Sequence, residues 1–355
     1  MSKKPSKNQT TGLVLGKFAP FHAGHQYLVE TAIKQTDRVI VLIYNCPETI
    51  DIPLDVRAEW IRQIYPQVEV IEAWDGPTES GHDPRVIKLN EDYILQKIKE
   101  PITHFFCSEW YGDHVSKALG AINCVVDEKR ETFPVSGTII RSNPHVYKKF
   151  LHPVVYKDFV KKIVFLGAES TGKTTITREL AKIYKTEWMP ELGREYWEKN
   201  QIDGKLSEEQ LLDLAYQHIE KEEELLLRAN RYFFADTNAI TTAMFSRYYH
   251  GHIHPQLECL ARRVESRYDL YFVCDIDIPY EDDGARSGAD HRLIFQQQII
   301  EDLERRGINY ILLRGDLGQR MRRVREYLNM LEKDQKIEEN IGFFLYFSKM
   351  LRQFG

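Results

Sequence analysis

The sequence predicts an α/β protein built from two doubly wound parallel-sheet domains. Three observations predict it. Apolar runs of strand length alternate with helix-patterned stretches along the whole chain, the alternation starts twice, and each start runs straight into a glycine-bearing turn and then a helix. A strand that ends in a glycine loop at a helix N-terminus is a natural seat for phosphate, so each sheet is expected to carry one phosphate site. The 355 residues exceed one ordinary domain, and an apolar content of 43% is enough to fill two cores.

The first domain opens with the strand Gly12 to Leu15, the helix Gln26 to Lys34 and a second buried strand from Arg38 to Tyr44. Val68 to Ala73, His104 to Cys107 and Asn123 to Val126 read as further strands. Pro144 to Lys162, rich in aromatic residues and lysine, reads as a short helical connector. The second domain then starts at Ile163 to Leu166 and continues through Tyr232 to Ala235, Leu270 to Cys274 and Tyr310 to Leu313. The expected division is a tail over 1–11, one domain over 12–157 and another over 158–355, with the aromatic stretch Phe343 to Phe354 forming a helix against the second domain.

A formal charge of −5 provides no basic field for non-specific nucleic-acid binding. The five cysteines (Cys46, Cys107, Cys124, Cys259 and Cys274) are dispersed without a C-x-x-C pair, which predicts reduced thiols and neither a disulfide framework nor a zinc site. Met1 to Thr10 lacks the apolar core of a signal peptide, and no run approaches the roughly 20 apolar residues that span a bilayer. These features predict a cytoplasmic protein with no membrane partner.

Gly167-Ala168-Glu169-Ser170-Thr171-Gly172-Lys173-Thr174 fits G-x-x-x-x-G-K-[ST] at every fixed position, between a buried strand and a helix. Its backbone N–H groups can cradle phosphate, with Thr175 following in the first helical turn. Lys173 can reach the β- and γ-phosphates and Thr174 can hold Mg²⁺. Asp236, at the end of an apolar run, reads either as a metal carboxylate or as a helix cap. The polar segment Asp282 to Arg292, with Arg286 and Arg292, reads as a kinase lid or as a solvated loop. Glu191, Arg194 and Glu195 follow a short strand candidate near Trp188; a carboxylate there can take a proton from an attacking hydroxyl, and Glu195 and Asp236 are the candidate bases.

The first turn carries Gly16-Lys17-Phe18-Ala19-Pro20-Phe21-His22-Ala23-Gly24-His25. Two histidines three apart without a third ligand nearby make a poor zinc site. At a strand-to-helix turn they suit a phosphate cradle, where imidazoles stabilise charge on an α-phosphate and a departing pyrophosphate. This run resembles the H-x-G-H signature of the nucleotidylyltransferases, and Val135-Ser136-Gly137-Thr138-Ile139-Ile140-Arg141 resembles that family's second signature, I-S-S-T-x-x-R, with Gly137 departing from the usual serine.

Together with the downstream P-loop, the chain from Gly12 to about Gln319 resembles the bifunctional nicotinamide-nucleotide adenylyltransferase and ribosylnicotinamide kinase of bacterial NAD salvage, the NadR type; Ser108 to Gly112, Gly193 to Tyr196 and the arginine lid add to the likeness. The resemblance implies two reactions. ATP on the P-loop phosphorylates ribosylnicotinamide, with Arg286 and Arg292 neutralising charge. A second ATP adenylylates nicotinamide mononucleotide to NAD and pyrophosphate, with His22 and His25 on the phosphates and Lys17 and Arg141 adding positive charge. Gly16, Phe18, Gly24, Ser136 and Thr138 would complete that ATP site. Trp110 would stack the cationic nicotinamide, and Arg57 either reaches the mononucleotide or lies on a helix surface. Some members of the type carry an N-terminal helix-turn-helix domain; the short stretch before the first strand implies an enzyme without one and without nucleic-acid contact. Homo-oligomerisation, a different nucleoside or phosphate-ester substrate, and a sensor that binds without turnover all remain open at this point.

Overall fold

The computed structural model describes residues 9–79, 81–202, 204–279 and 289–332. Arg286 with the rest of 282–288, the first eight residues and the aromatic stretch Phe343 to Phe354 lie outside the described residues. The chain divides into two compact units, Met1–Phe159 and Val160–Gly355.

The first unit is a five-stranded parallel sheet in the order β3-β2-β1-β4-β5: β1 (Thr11–Gly16), β2 (Arg38–Tyr44), β3 (Glu69–Ala73), β4 (His104–Cys107) and β5 (Ile122–Val125). β1 and β2 are apolar on both faces because helices cover both sides, as a parallel sheet requires. The helices are α1 (Ala23–Gln35), α2 (Leu54–Ile64), α3 (Pro84–Lys97), α4 (Gly112–Leu119), α5 (Gly137–Ser142) and α6 (Pro153–Tyr156). The connector is short and helical, as the sequence predicts. Up to Phe159 it belongs to this unit, where the Trp60 indole on α2 donates to Asp158 at 2.7 Å. Its last two residues, Lys161 and Lys162, are instead the first of the next strand.

The second unit is a parallel sheet in the order β10-β9-β6-β8-β7: β6 (Lys161–Leu166), β7 (Trp188–Met189), β8 (Tyr232–Asp236), β9 (Leu270–Cys274) and β10 (Ile311–Leu313). Its helices are α7 (Lys173–Tyr184), α8 (Gly193–Asn200), α9 (Glu208–Leu226), α10 (Ala239–His250), α11 (Pro255–Val264) and α12 (Ala289–Arg305), followed by a helix over 317–332. Phe165, Phe234 and Phe272 from the three central strands form the heart of the core. α9 starts at Ser207, whose hydroxyl accepts from the Gln210 amide while Gln210 reaches back, a capping box of the kind that stabilises a helix by about 1 kcal/mol. Beyond that cap, Leu211, Leu214, Ala215 and His218 recur on one buried face. The predicted strands all form, with ends shifted by at most two residues.

Candidate active sites

In the first unit the strand order reverses at β1 and β4, so the loops leaving these strands flank the crevice where open α/β sheets take ligands. The loop leaving β1 is built from rings. Phe18 and Phe21 meet edge-on at 5.6 Å, Phe18 stands edge-on to His25 at 5.0 Å, and His22 and His25 stack at 3.7 Å between centroids. The His22 backbone N–H reaches His25 Nδ1 at 3.4 Å, which leaves the His25 proton on Nε2. Burial depresses both imidazoles. His22 falls to about 4, with the positive Arg130 adding to the effect; His25 falls well below its usual value, with His22 and Arg130 contributing and a hydrogen bond to the Pro20 backbone opposing. Both rings are therefore neutral at pH 7. His22 Nδ1 is buried and has no hydrogen-bond partner among the described residues. A Cβ at Gly24 would crowd the His22 ring at 3.2 Å, so glycine gives that ring its room.

The second signature closes on the first. Ser136 caps α5 by accepting from the Ile139 amide at 3.2 Å; Arg141 donates to the Ala19 carbonyl and, at 3.2 Å, to Thr138 Oγ1. A Cβ at Gly137 would lie 2.7 Å from the Ala19 carbonyl oxygen. The glycine that departs from the family's serine thus follows from how closely α5 approaches the first loop. Lys17 pairs with Glu48 at 2.8 Å, both half exposed. Arg57 is 1% exposed and donates to Ile52 O at 3.1 Å, Tyr44 O at 3.2 Å and the Lys17 carbonyl. It ties together the loops leaving β1 and β2 and does not lie on a helix surface. Trp110, on the loop leaving β4, is 43% exposed, with the His82 ring 4.0 Å away and tilted by 35°. Sequence reasoning missed Arg130, which pairs with Glu109 at 3.1 Å and acts on both histidines; no local pattern marks it.

In the second unit the P-loop joins β6 to α7. Gly167 has φ +139, and a Cβ there would sit 2.6 Å from the Cys274 carbonyl, so only glycine fits. Lys173 is buried and its Nζ donates to the Ala168 carbonyl at 2.9 Å. Thr174 Oγ1 donates to Asp236 Oδ2, and β8 is paired with β6 so that Asp236 stands opposite Phe165. Asp236 is fully buried, and its Oδ1 has no hydrogen-bond partner among the described residues. Burial first, then the Glu191 charge, pushes its carboxyl well above the usual range against the pull of Lys173, Thr174 and Arg194. The cap of α10 is Asn238, which accepts from the Ile240 amide at 3.0 Å, so Asp236 does not serve as the cap.

Beyond the loop opens a cavity of about 1010 Å³. Its lining includes Ser170 to Thr175 of the P-loop, the charged pair Glu191 and Arg194, and the aromatic side chains of Trp197, Phe245, Tyr248 and Tyr249. Glu195 is absent from this lining; it is 70% exposed and paired with Lys199 at 2.6 Å, which holds its carboxyl below the usual value. Arg292 is buried, and its guanidinium donates to the Glu169, Ser170 and Ile278 carbonyls, behind the loop. The aromatic lining was missed, although Phe245, Tyr248 and Tyr249 at helical spacing on α10 were a readable stripe. Among the described residues no three His, Cys, Asp or Glu side chains gather as a metal-ligand set.

Fold and sites define an α/β protein of two parallel-sheet domains, a cytidylyltransferase-like domain followed by a P-loop domain. The family model for cytidylyltransferase-like proteins matches residues 13–143, and that for the AAA domain matches residues 162–320. The chain is 28% identical to the trifunctional NAD biosynthesis/regulator protein NadR of Escherichia coli (strain K12), across 94% of this chain and 86% of that protein. It is also 28% identical to the protein of the same name from Salmonella typhimurium, across 86% and 79%. Two solved NadR structures share the fold: one in complex with NAD and AMP-PNP (TM-score 0.64, 22% identity, 87% of this chain and 92% of that one), one in complex with NR (0.66, 24%, 91% and 95%). The chain resembles these NadR proteins in domain order and along nearly its whole length.

Proposed function

We propose that the chain is a bifunctional enzyme of NAD salvage. Its second unit transfers the γ-phosphate of ATP to ribosylnicotinamide, and its first unit adenylylates the resulting nicotinamide mononucleotide with another ATP, giving NAD and pyrophosphate. The observation that carries this reading is the cavity at the P-loop, whose lining combines Ser170 to Thr175 with a carboxylate, an arginine and four aromatic side chains, the chemistry a kinase acceptor site needs. The NadR relatives, two of them named for NAD biosynthesis and one bound to NR, support ribosylnicotinamide as the acceptor.

In the kinase half, Lys173 moves from the Ala168 carbonyl onto the β- and γ-phosphates. The 5′-hydroxyl oxygen attacks the γ-phosphorus, ADP leaves, and Glu191 takes the hydroxyl proton, since Glu195 faces solvent and Asp236 faces Thr174. Thr174 and Asp236 would hold Mg²⁺, and the buried, unpaired Asp236 Oδ1 fits a hard cation. When bound, that ion offsets phosphate charge. Arg194 orients the acceptor, and the lining of Trp197, Phe245, Tyr248 and Tyr249 suits an aromatic cation.

In the adenylyltransferase half, the mononucleotide phosphate attacks the α-phosphorus and pyrophosphate leaves without a covalent enzyme intermediate. Neutral His22 donates a hydrogen bond to the phosphates, His25 does so once its Nε2 proton leaves the Pro20 backbone, Arg130, Arg141 and Lys17 add positive charge, and Trp110 stacks the nicotinamide. Neither half calls for nucleic acid. No described helix is long and apolar enough to cross a membrane, and we place the enzyme in the cytoplasm.

The reading is tested by chromatography of the products formed from Mg·ATP with ribosylnicotinamide, a panel of other nucleosides, and phosphopantetheine. NAD formed from ribosylnicotinamide alone is the expected result. Consumption of another nucleoside or phosphate ester in preference would replace the substrate, and binding without turnover would make the chain a sensor.

A further inference from the structure

Successive residues of the P-loop have backbone groups taken by side chains from more than a hundred residues downstream. The Ala168 amide donates to Gln296 Oε1 at 2.8 Å, and Gln296 Nε2 donates to the Cys274 carbonyl at 3.1 Å. The Glu169 and Ser170 carbonyls each accept from Arg292 at 3.1 Å. The Thr171 carbonyl accepts from Arg320 at 2.6 Å, and the same guanidinium donates to Gly315 O at 2.9 Å, Asp275 O at 3.0 Å and the Asp277 carboxylate. Gln296 and Arg320 are each 3% exposed, and neither lines the cavity.

A peptide group turns as a unit, so holding its carbonyl outward turns its N–H inward. A loop that binds anions through successive amides needs its carbonyls held in this way. Gln296 takes the amide of Ala168, the second residue of the loop, and ties it to the end of β9, whereas Arg320 takes the Thr171 carbonyl and ties it to the ends of β9 and β10. A guanidinium can do this because it is a planar fork of five donors; an ammonium has the charge without the fork.

We infer that Gln296 and Arg320 are positioning residues of the kinase reaction, which act through the P-loop backbone: Gln296 anchors the start of the loop by its Ala168 amide, and Arg320, by holding the Thr171 carbonyl, turns the next amide toward the ATP phosphates. The inference rests on the kinase reading. Gln296→Leu, Arg320→Gln and Arg320→Lys would be assayed with ATP and ribosylnicotinamide varied separately, beside thermal melts and the adenylyltransferase reaction on supplied mononucleotide. The expected result is a KM for ATP raised about tenfold or more, a KM for ribosylnicotinamide within about twofold, and Arg320→Lys as impaired as Arg320→Gln. Adenylyltransferase turnover should be unchanged. Lower melting temperatures with an unchanged KM for ATP would reduce both residues to structural props, and rescue by lysine would overturn the role of the fork. If the wild type phosphorylates no ribosylnicotinamide, the kinase reading fails. The inference is then decided by calorimetric Mg·ATP binding at the P-loop, taken as the difference from Lys173→Ala: weakened binding upholds it and unchanged binding overturns it.

Discussion

The two loops proposed to hold phosphate sit at the same place in two similar sheets, each between a central strand and the helix that follows it, yet they are made of opposite materials. The loop after β1 is packed with rings and presents neutral imidazoles, with arginines near by. The loop after β6 presents backbone, with its carbonyls occupied from behind and one buried lysine. The difference follows the chemistry proposed for each. Transfer to an α-phosphate needs donors that follow a departing pyrophosphate, which side chains supply. Transfer of a terminal phosphoryl needs a rigid seat for the rest of the nucleotide, which a backbone nest supplies.

The largest effects should break one loop and spare the other. Lys173→Ala should lower kinase turnover about a thousandfold while leaving adenylyltransferase activity untouched; His22→Ala should do the reverse, by about a hundredfold or more, each read from product assays on the separate half-reactions. Glu191→Gln should lower the kinase kcat by about a hundredfold, whereas Glu195→Gln should stay within about twofold, a contrast that stopped-flow or coupled assays resolve directly. Asp236→Asn should lose kinase activity yet melt at a higher temperature than the wild type at pH 8 in EDTA. The folded-state pKa of Asp236 is raised, so its contribution to stability is present at low pH and lost as pH rises through that value, and the amide escapes the loss.

The imidazole loop predicts the opposite pH behaviour. His22 has its pKa lowered to about 4 in the folded state, so the unfolded chain binds the proton first. The contribution is fully present above about pH 6.5 and is lost as pH falls towards 4, up to about 3 kcal/mol. Wild type should therefore lose more stability than His22→Asn between pH 7 and pH 5 in denaturant titrations. A smaller effect is expected at Trp110→Ala, which should raise the KM for the mononucleotide about tenfold with little change in kcat.

Both loops were legible because each is a contiguous motif whose backbone context, strand before and helix after, is also written locally. What surrounds them was not. Glu191 and Glu195 lie four residues apart, but the start of α8 at Gly193 falls between them; the first faces the cavity while the second, in the first helical turn, pairs with Lys199 on the solvent side. Gln296, Arg320 and Arg130 reach their sites across crossovers that no local spacing records. Arg57 looked like a helix-surface charge or a ligand contact because burial depends on the loops that fold over it. Gly137 was readable as a departure, while its cause, the Ala19 carbonyl, lies more than a hundred residues earlier.

The most direct test of two separate sites is to supply Mg·ATP and ribosylnicotinamide to His22→Ala and to Lys173→Ala, and to supply mononucleotide to the latter. The account predicts that the histidine variant accumulates mononucleotide without NAD, and that the lysine variant makes NAD only from supplied mononucleotide. A single substitution that abolished both half-reactions in a folded protein would contradict it.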